Sequence, residues 1–142
     1  MSVTLIVGIL VAAGIITAIT SWLLTKREFA KRFLSRPALE PHDVVSGFDP
    51  NEAQFLTELW PKLEKLLGVP PGRLRLTDRF NVELRANSKI AIYQPAGDVL
   101  EDLGSLFPQE HLNVSTVRDY CECALRLRRR SPQKDVVKVM LG

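Results

Sequence analysis

Cysteine and histidine are scarce in this 142-residue chain, which has two of each. Cys121 and Cys123 lie two positions apart, so on a helix their side chains point to nearly opposite sides and cannot form a disulfide or chelate one ion well. His42 and His111 lack the closely spaced Cys or His partners that a zinc site requires. We therefore expect both cysteines to serve packing, and we expect no disulfide and no metal centre.

The chain also lacks the motifs of the common enzyme classes. It contains no glycine-rich phosphate loop and no recognisable pairing of a nucleophile with a base. Glu101 and Asp102 are adjacent, and adjacent positions on a helix diverge, so we expect a solvated acidic face rather than a catalytic pair. The sequence therefore predicts a protein that is not an enzyme.

Charge is absent from the first 25 positions, and residues 3–24 form a largely apolar run of 22 residues. As a helix with about 1.5 Å rise per residue, this run is roughly 33 Å long and matches a hydrocarbon core of about 30 Å. A cleavable signal peptide carries positive charge ahead of its apolar core, and only Met1 and Ser2 precede this run. The sequence predicts a retained transmembrane helix over residues 1–25.

Basic residues directly behind the run indicate its orientation. Residues 26–36 hold five basic residues and one acidic residue, so the positive-inside rule places the following chain in the cytoplasm and the N-terminus outside. Each cation next to an anionic leaflet gains about 1 kcal/mol from the surface potential. We expect a single-pass protein of the inner (cytoplasmic) cell membrane, with these residues at the membrane surface: Lys26, Arg27, Lys31, Arg32 and Arg36.

Residues 26–48 are predicted to be a basic juxtamembrane helix followed by a linker. Phe29, Phe33 and Leu34 recur at helical spacing, so we expect them to lie on the lipid surface while the cations face water. Proline 37 ends the helix, and the proline-containing residues 37–48 are typical of an extended linker.

The net charge of +3 does not by itself indicate a nucleic-acid-binding protein, because the basic residues are concentrated at two places. Residues 37–125 hold eight basic and fourteen acidic residues, whereas residues 126–142 hold six basic residues and one acidic residue. An acidic domain repels phosphates. We expect the membrane and a protein as partners, and no nucleic acid.

Hydrophobic periodicity predicts a mainly α fold, with one small helical domain over residues 49–130 and a tail over residues 131–142. Its first helix is predicted to follow Asp49 and to end at Gly68, and its last to begin at a cap on Ser115 or Thr116. Alternating side chains over residues 79–96 are compatible with a short β-hairpin. The tail is expected to be either a frayed end or a docking strand.

Several packing positions of this domain resemble the acyl carrier protein family. The resemblance rests on residues 66–69 (Leu-Leu-Gly-Val), Leu74, residues 77–80 (Thr-Asp-Arg-Phe), residues 83–84 (Glu-Leu) and residues 114–120 (Val-Ser-Thr-Val-Arg-Asp-Tyr). It covers about 75 residues of the chain. It implies a helical domain of the acyl carrier type, with a long loop after the first helix.

The same resemblance implies a prosthetic-group site. Acyl carriers attach 4′-phosphopantetheine to the serine of an Asp-Ser-Leu motif, and Ser88 occupies that position here. Arg85, Asn87 and Lys89 stand where the family has Gly, Asp and Leu, so the motif is degenerate. The alternative interpretation of Ser88 is a polar turn residue without a cofactor.

Three functions are compatible with the sequence. The first is a membrane-tethered, non-catalytic interaction domain of the acyl carrier type, which positions a cytoplasmic partner at the inner membrane face. The alternative is a true acyl carrier with 4′-phosphopantetheine on Ser88. The third is a small subunit of a membrane complex.

Overall fold

The computed structural model describes residues 2–85, 95–132 and 135–142. Over these ranges the chain is mainly helical and forms no strand, and an isolated antiparallel bridge joins Arg79 to Thr116. The predicted mainly α class is confirmed. A 3-10 turn covers Glu110–Asn113, and the α-helices within the described ranges are α1 (Val3–Leu34), α2 (Pro41–Val44), α3 (Pro50–Leu67), α4 (Pro95–Leu106), α5 (Val117–Arg130) and α6 (Val136–Leu141).

Helix α1 joins the apolar run and the basic segment in one continuous helix of 32 residues. Its length is about 48 Å at 1.5 Å per residue. Among the helices of the described ranges, it is the one that is long and apolar enough to cross a membrane, and its most apolar stretch is not buried against the rest of the protein.

The last two turns of α1 enter the hydrophobic core. Phe29 is 7% exposed and Phe33 is 2% exposed, and their rings lie 5.3 Å apart between centroids. Both belong to the same cluster of buried side chains as α3 and α5. The sequence predicts these two phenylalanines on the lipid surface, and the structure instead packs them against protein. The predicted apolar face is confirmed for Phe29 and Phe33, whereas Leu34 is exposed, and the face is covered by protein and not by lipid.

Residues 37–48 also differ from the expected extended linker. They contain the short helix α2, Val45 is fully buried, and the Leu39 N–H donates to the Gly72 carbonyl at 3.0 Å. The segment therefore packs on the helical domain. Apolar side chains in this stretch supply the burial that holds a proline-containing segment in place.

Helix α3 supplies six buried apolar side chains to the core. It follows Asp49, continues through Pro61 and ends at Gly68, whose φ of 71° is the left-handed conformation that glycine tolerates. The predicted bounds of this helix are confirmed. Its buried apolar residues recur at helical period: Phe55, Leu56, Leu59, Trp60, Leu63 and Leu67.

Helix α5 begins with a capping box in which the Thr116 hydroxyl accepts from the Asp119 N–H while Asp119 accepts from the Thr116 N–H. Thr116 is thus the cap, one of the two predicted candidates. Cys121 and Cys123 are both buried free thiols, as expected for packing residues, and burial raises the pKa of Cys121 to about 12.

The tail is neither frayed nor a strand. Residues 136–141 form α6, which buries Val136, Val137 and Met140 against α3, α4 and α5. The hairpin is not confirmed either: residues 79–85 form turns that bury Phe80 and Leu84, and residues 86–94 lie outside the described ranges. The alternating apolar residues therefore lie in turns, where Phe80 and Leu84 pack into the core.

Candidate functional site

The most elaborate polar arrangement of the described residues lies where α1 ends. We call this region the junction; it comprises residues 29–41 and the loop 68–79 that follows α3. The loop contributes Arg73, whose Nη1 donates to the carbonyls of Leu34 (2.7 Å) and Arg36 (2.5 Å). Arg75 donates from Nη2 to the Pro37 carbonyl at 2.5 Å. The Leu34 carbonyl is one of those that the end of a helix leaves without intrahelical donors, whereas the Arg36 and Pro37 carbonyls belong to the segment that follows α1.

A bidentate ion pair also joins the two parts of the junction, with the cation supplied by the segment behind α1 and the carboxylate by the loop. Arg36 approaches Asp78 with both terminal nitrogens, at 2.8 Å each, and the Asp78 carboxylate also accepts from the Arg75 N–H at 2.9 Å. Asp78 is 2% exposed. Hydrogen bonding to Asp78 raises the pKa of Arg36, so this cation is held in its charged form. The pair joins the end of α1 to the loop after α3.

The basic residues predicted for the membrane surface therefore divide into two groups. Arg36 faces Asp78 within the protein, as described above. Lys26, Arg27, Lys31 and Arg32 are exposed on α1, and Lys31 pairs with Glu28 at 2.9 Å. These four cations are exposed on α1, whereas Arg36 serves the junction.

A cleft of about 560 Å³ opens beside the junction, between the segment that leaves α1 and the C-terminal half of α3. Its lining is mostly apolar, with charged groups from Glu40, Glu64 and Lys65. We call it the junction cleft. The apolar wall is formed by Ala38, Leu39, Pro41, Pro61, Val69 and Pro71.

Glu64 is the buried charged group of this cleft, with 3% of its surface exposed. Its Oε2 accepts from the Gly72 N–H at 2.6 Å, and the structure gives its second oxygen no hydrogen-bond donor among the described residues. Burial raises the pKa of Glu64, against the lowering effect of the Gly72 hydrogen bond. The cleft thus contains a carboxyl group with unused accepting capacity.

Gly72 connects this carboxyl group to the junction. Its φ is 78°, and a Cβ at this position would lie 3.0 Å from the Leu39 carbonyl oxygen and 3.1 Å from the Ala38 Cβ. Its own carbonyl accepts from Leu39 N–H and from Arg75 Nη1. Glycine is favoured here, because the positive φ is strained for residues with a side chain and a Cβ would crowd the backbone of Leu39.

Sequence reasoning did not identify Glu64 or the pairing of Asp78 with Arg36. One signal for Glu64 was present: it lies four residues after Trp60, on the buried face of α3. A carboxylate within an apolar stripe is an exception that calls for a partner or a function. No comparable signal announced the ion pair, because its members are 42 positions apart.

Ser88, the predicted attachment residue, lies outside the described residues. The first residue of α4, Pro95, comes seven positions later in the sequence. A comparison of the chain with protein-family models, curated proteins and solved structures finds no match.

Proposed function

We propose that this protein is a single-pass membrane protein whose non-catalytic helical domain positions a cytoplasmic partner at the inner membrane face. The observation that carries the proposal is the burial of Phe29 and Phe33, which belong to the same continuous helix as the exposed apolar stretch. An apolar stretch that no protein covers is stabilised by lipid. The same helix then enters the domain core.

The dimensions of α1 support a position of the domain close to the lipid. With residues 3–24 in the hydrocarbon, Phe29 lies about 8 Å and Phe33 about 14 Å beyond its edge along the helix axis. The headgroup region extends about 5–8 Å. The domain therefore begins at headgroup level, and its orientation follows that of α1, since Arg36 and Asp78 pair across the junction.

The helix order supports an acyl carrier type of fold for this domain. A long first helix (α3) is followed by a long loop, a second helix (α4), a short 3-10 element and a final helix (α5). The resemblance seen in the sequence implies such an order. Helix α6 and the docked end of α1 are additions to it, and they make the domain part of a larger core.

The membrane proposal is tested by extraction and protease protection of the full chain. We expect the protein to resist alkaline carbonate, and the domain to be digested in inside-out vesicles but protected in intact spheroplasts. Extraction by carbonate, or digestion from outside the cell, would overturn the proposal. Replacing the four exposed cations of α1 by Gln should weaken the preference for one orientation, whereas the same change should have no effect at these exposed control residues: Lys62, Lys65 and Lys138.

The helix order also favours the carrier function as a second candidate, with 4′-phosphopantetheine on Ser88. In that case the intact mass of protein co-expressed with a broad-specificity phosphopantetheinyl transferase increases by one prosthetic group, and Ser88→Ala abolishes the increase. An unmodified mass under these conditions would exclude the carrier function. Co-purification of other membrane proteins in mild detergent would instead support a subunit of a membrane complex.

A further inference from the structure

We infer that the junction cleft is a binding site for a small primary amine with an apolar body, whose ammonium group pairs with Glu64. This site is independent of the membrane orientation proposed above. The cleft volume of about 560 Å³ falls within the range of small-molecule pockets, about 300–1,000 Å³. Its composition also fits this class of site, since the wall is apolar and few polar groups face it.

Charge selects the ligand class. Glu64 is buried in the wall of the cleft, and Glu40 stands at its exposed rim, so an anion is repelled from both. The remaining charged lining residue, Lys65, is exposed and forms no ion pair with Glu64 in the part of the chain that the structure describes. The charge of nearby Arg75 lowers the pKa of Glu64, but within the described ranges Arg75 forms no ion pair with this carboxylate and donates to the carbonyls of Gly72, Leu74 and Pro37 instead. A cationic ligand therefore finds a carboxylate without an ion-pair partner in the wall.

The hydrogen bonds of Glu64 indicate which kind of cation fits the cleft. One oxygen of Glu64 is used by the Gly72 N–H at 2.6 Å, which leaves the second oxygen to accept a donor from the cleft. An ammonium group with at least one N–H supplies both the missing charge and a donor, whereas a quaternary ammonium supplies the charge alone. A primary ammonium is the least bulky group of this kind. Burial raises the pKa of Glu64 because it destabilises the ionised carboxylate. A bound cation offsets this effect. The prolines and Val69 then contact the apolar body of the ligand.

The test uses the full chain in maltoside micelles and three probes of one shape: cyclohexylmethylamine, cyclohexylmethanol and cyclohexanecarboxylate. Binding is followed through the amide resonance of Gly72, which donates to Glu64. We expect the amine to bind at least about tenfold more tightly than the neutral and the anionic probe, a difference of about 1.4 kcal/mol. Equal affinities, or a silent Gly72 resonance, would overturn the inference.

Two variants test whether the amine is recognised by the Glu64 carboxylate or by the overall negative charge of α3. Glu64→Gln keeps an oxygen for the Gly72 N–H but removes the charge, and it should lose the preference for the amine. Glu58→Gln removes an exposed carboxylate from the same helix and should bind the amine like the parent chain. The three-probe series on the unmodified chain remains decisive if a variant does not fold. Unchanged amine binding by Glu64→Gln would show that the carboxylate is not the recognition group.

Discussion

The burial of Phe33 at the end of α1 leads to a quantitative prediction about the stability of the domain. Phe33 is 2% exposed, and truncating a buried phenylalanine to alanine costs about 3–5 kcal/mol. The adjacent Leu34 is 55% exposed, and exposed substitutions usually change stability by less than about 0.5 kcal/mol. We therefore expect Phe33→Ala to destabilise the helical domain strongly, and Leu34→Ala to serve as a matched control on the same helix.

The assay is urea unfolding of a fragment that begins at Lys26 and keeps the end of α1. In this fragment Trp60 is the single tryptophan, and its indole is fully buried, so its fluorescence reports the core directly. With a loss of about 4 kcal/mol and an m-value of about 2 kcal/mol/M, the midpoint of Phe33→Ala should fall by about 2 M. Leu34→Ala should unfold close to the parent fragment.

Equal midpoints for the two variants would refute the packing of α1 into the core. That result is expected if Phe33 lies on lipid, because a lipid-facing phenylalanine contributes to membrane affinity and not to the free energy of unfolding of a fragment without the apolar stretch. The experiment therefore distinguishes a domain docked on α1 from a domain that hangs on a flexible linker.

Three further predictions concern polar groups. Arg36→Ala leaves the buried Asp78 carboxylate without its ion pair, and urea unfolding should show a loss of about 3 kcal/mol, the lower end for a buried pair because Arg36 itself is partly exposed. Burial raises the pKa of Glu64 above its value in the unfolded chain, so this group stabilises the fold below pH 4.5 and loses that contribution as the pH rises through the folded pKa. Glu64→Gln should accordingly raise the thermal midpoint at pH 7 more than at pH 4, unlike Glu58→Gln, and equal shifts would contradict this. Thr116→Ala removes the cap of α5 and should cost about 1 kcal/mol in the same unfolding assay.

The helices could be predicted from the sequence where a local signal marks both their ends. Asp49 and Gly68 delimit α3, and the Thr116 cap starts α5, because caps and left-handed glycines act over one turn of chain. The apolar run of α1 is equally local. Its length and lack of charge are properties of consecutive residues, so a helix with the dimensions of a membrane span was predictable.

The junction could not be predicted because it depends on residues far apart in the sequence. The spacing of Phe29 and Phe33 shows that α1 has an apolar face, but spacing does not reveal whether lipid or protein covers that face. The contacts of Arg73 and Arg75 with the end of α1 span 37 to 39 positions. The hairpin predicted from residues 79–96 is not confirmed over residues 79–85 for a related reason. An alternating pattern is compatible both with a strand and with a turn whose apolar side chains enter a core.

Under the proposed function, docking of the domain on α1 changes how a membrane partner is reached. A flexible linker raises the local concentration of every face of a domain, whereas a docked domain offers its partner one orientation and loses less orientational freedom on binding.

The junction cleft lies within this connection, because its walls come from residues 38–41 behind α1 and from residues 69–72 of the domain. A ligand that contacts both walls binds the docked state in preference to an undocked one, and at ten times its Kd it stabilises that state by about 1.4 kcal/mol. Linkage then requires the reverse effect, so weakening the junction with Phe33→Ala should reduce amine affinity even though Phe33 does not line the cleft. Unchanged amine affinity in Phe33→Ala would show that the cleft and the docking of α1 are independent.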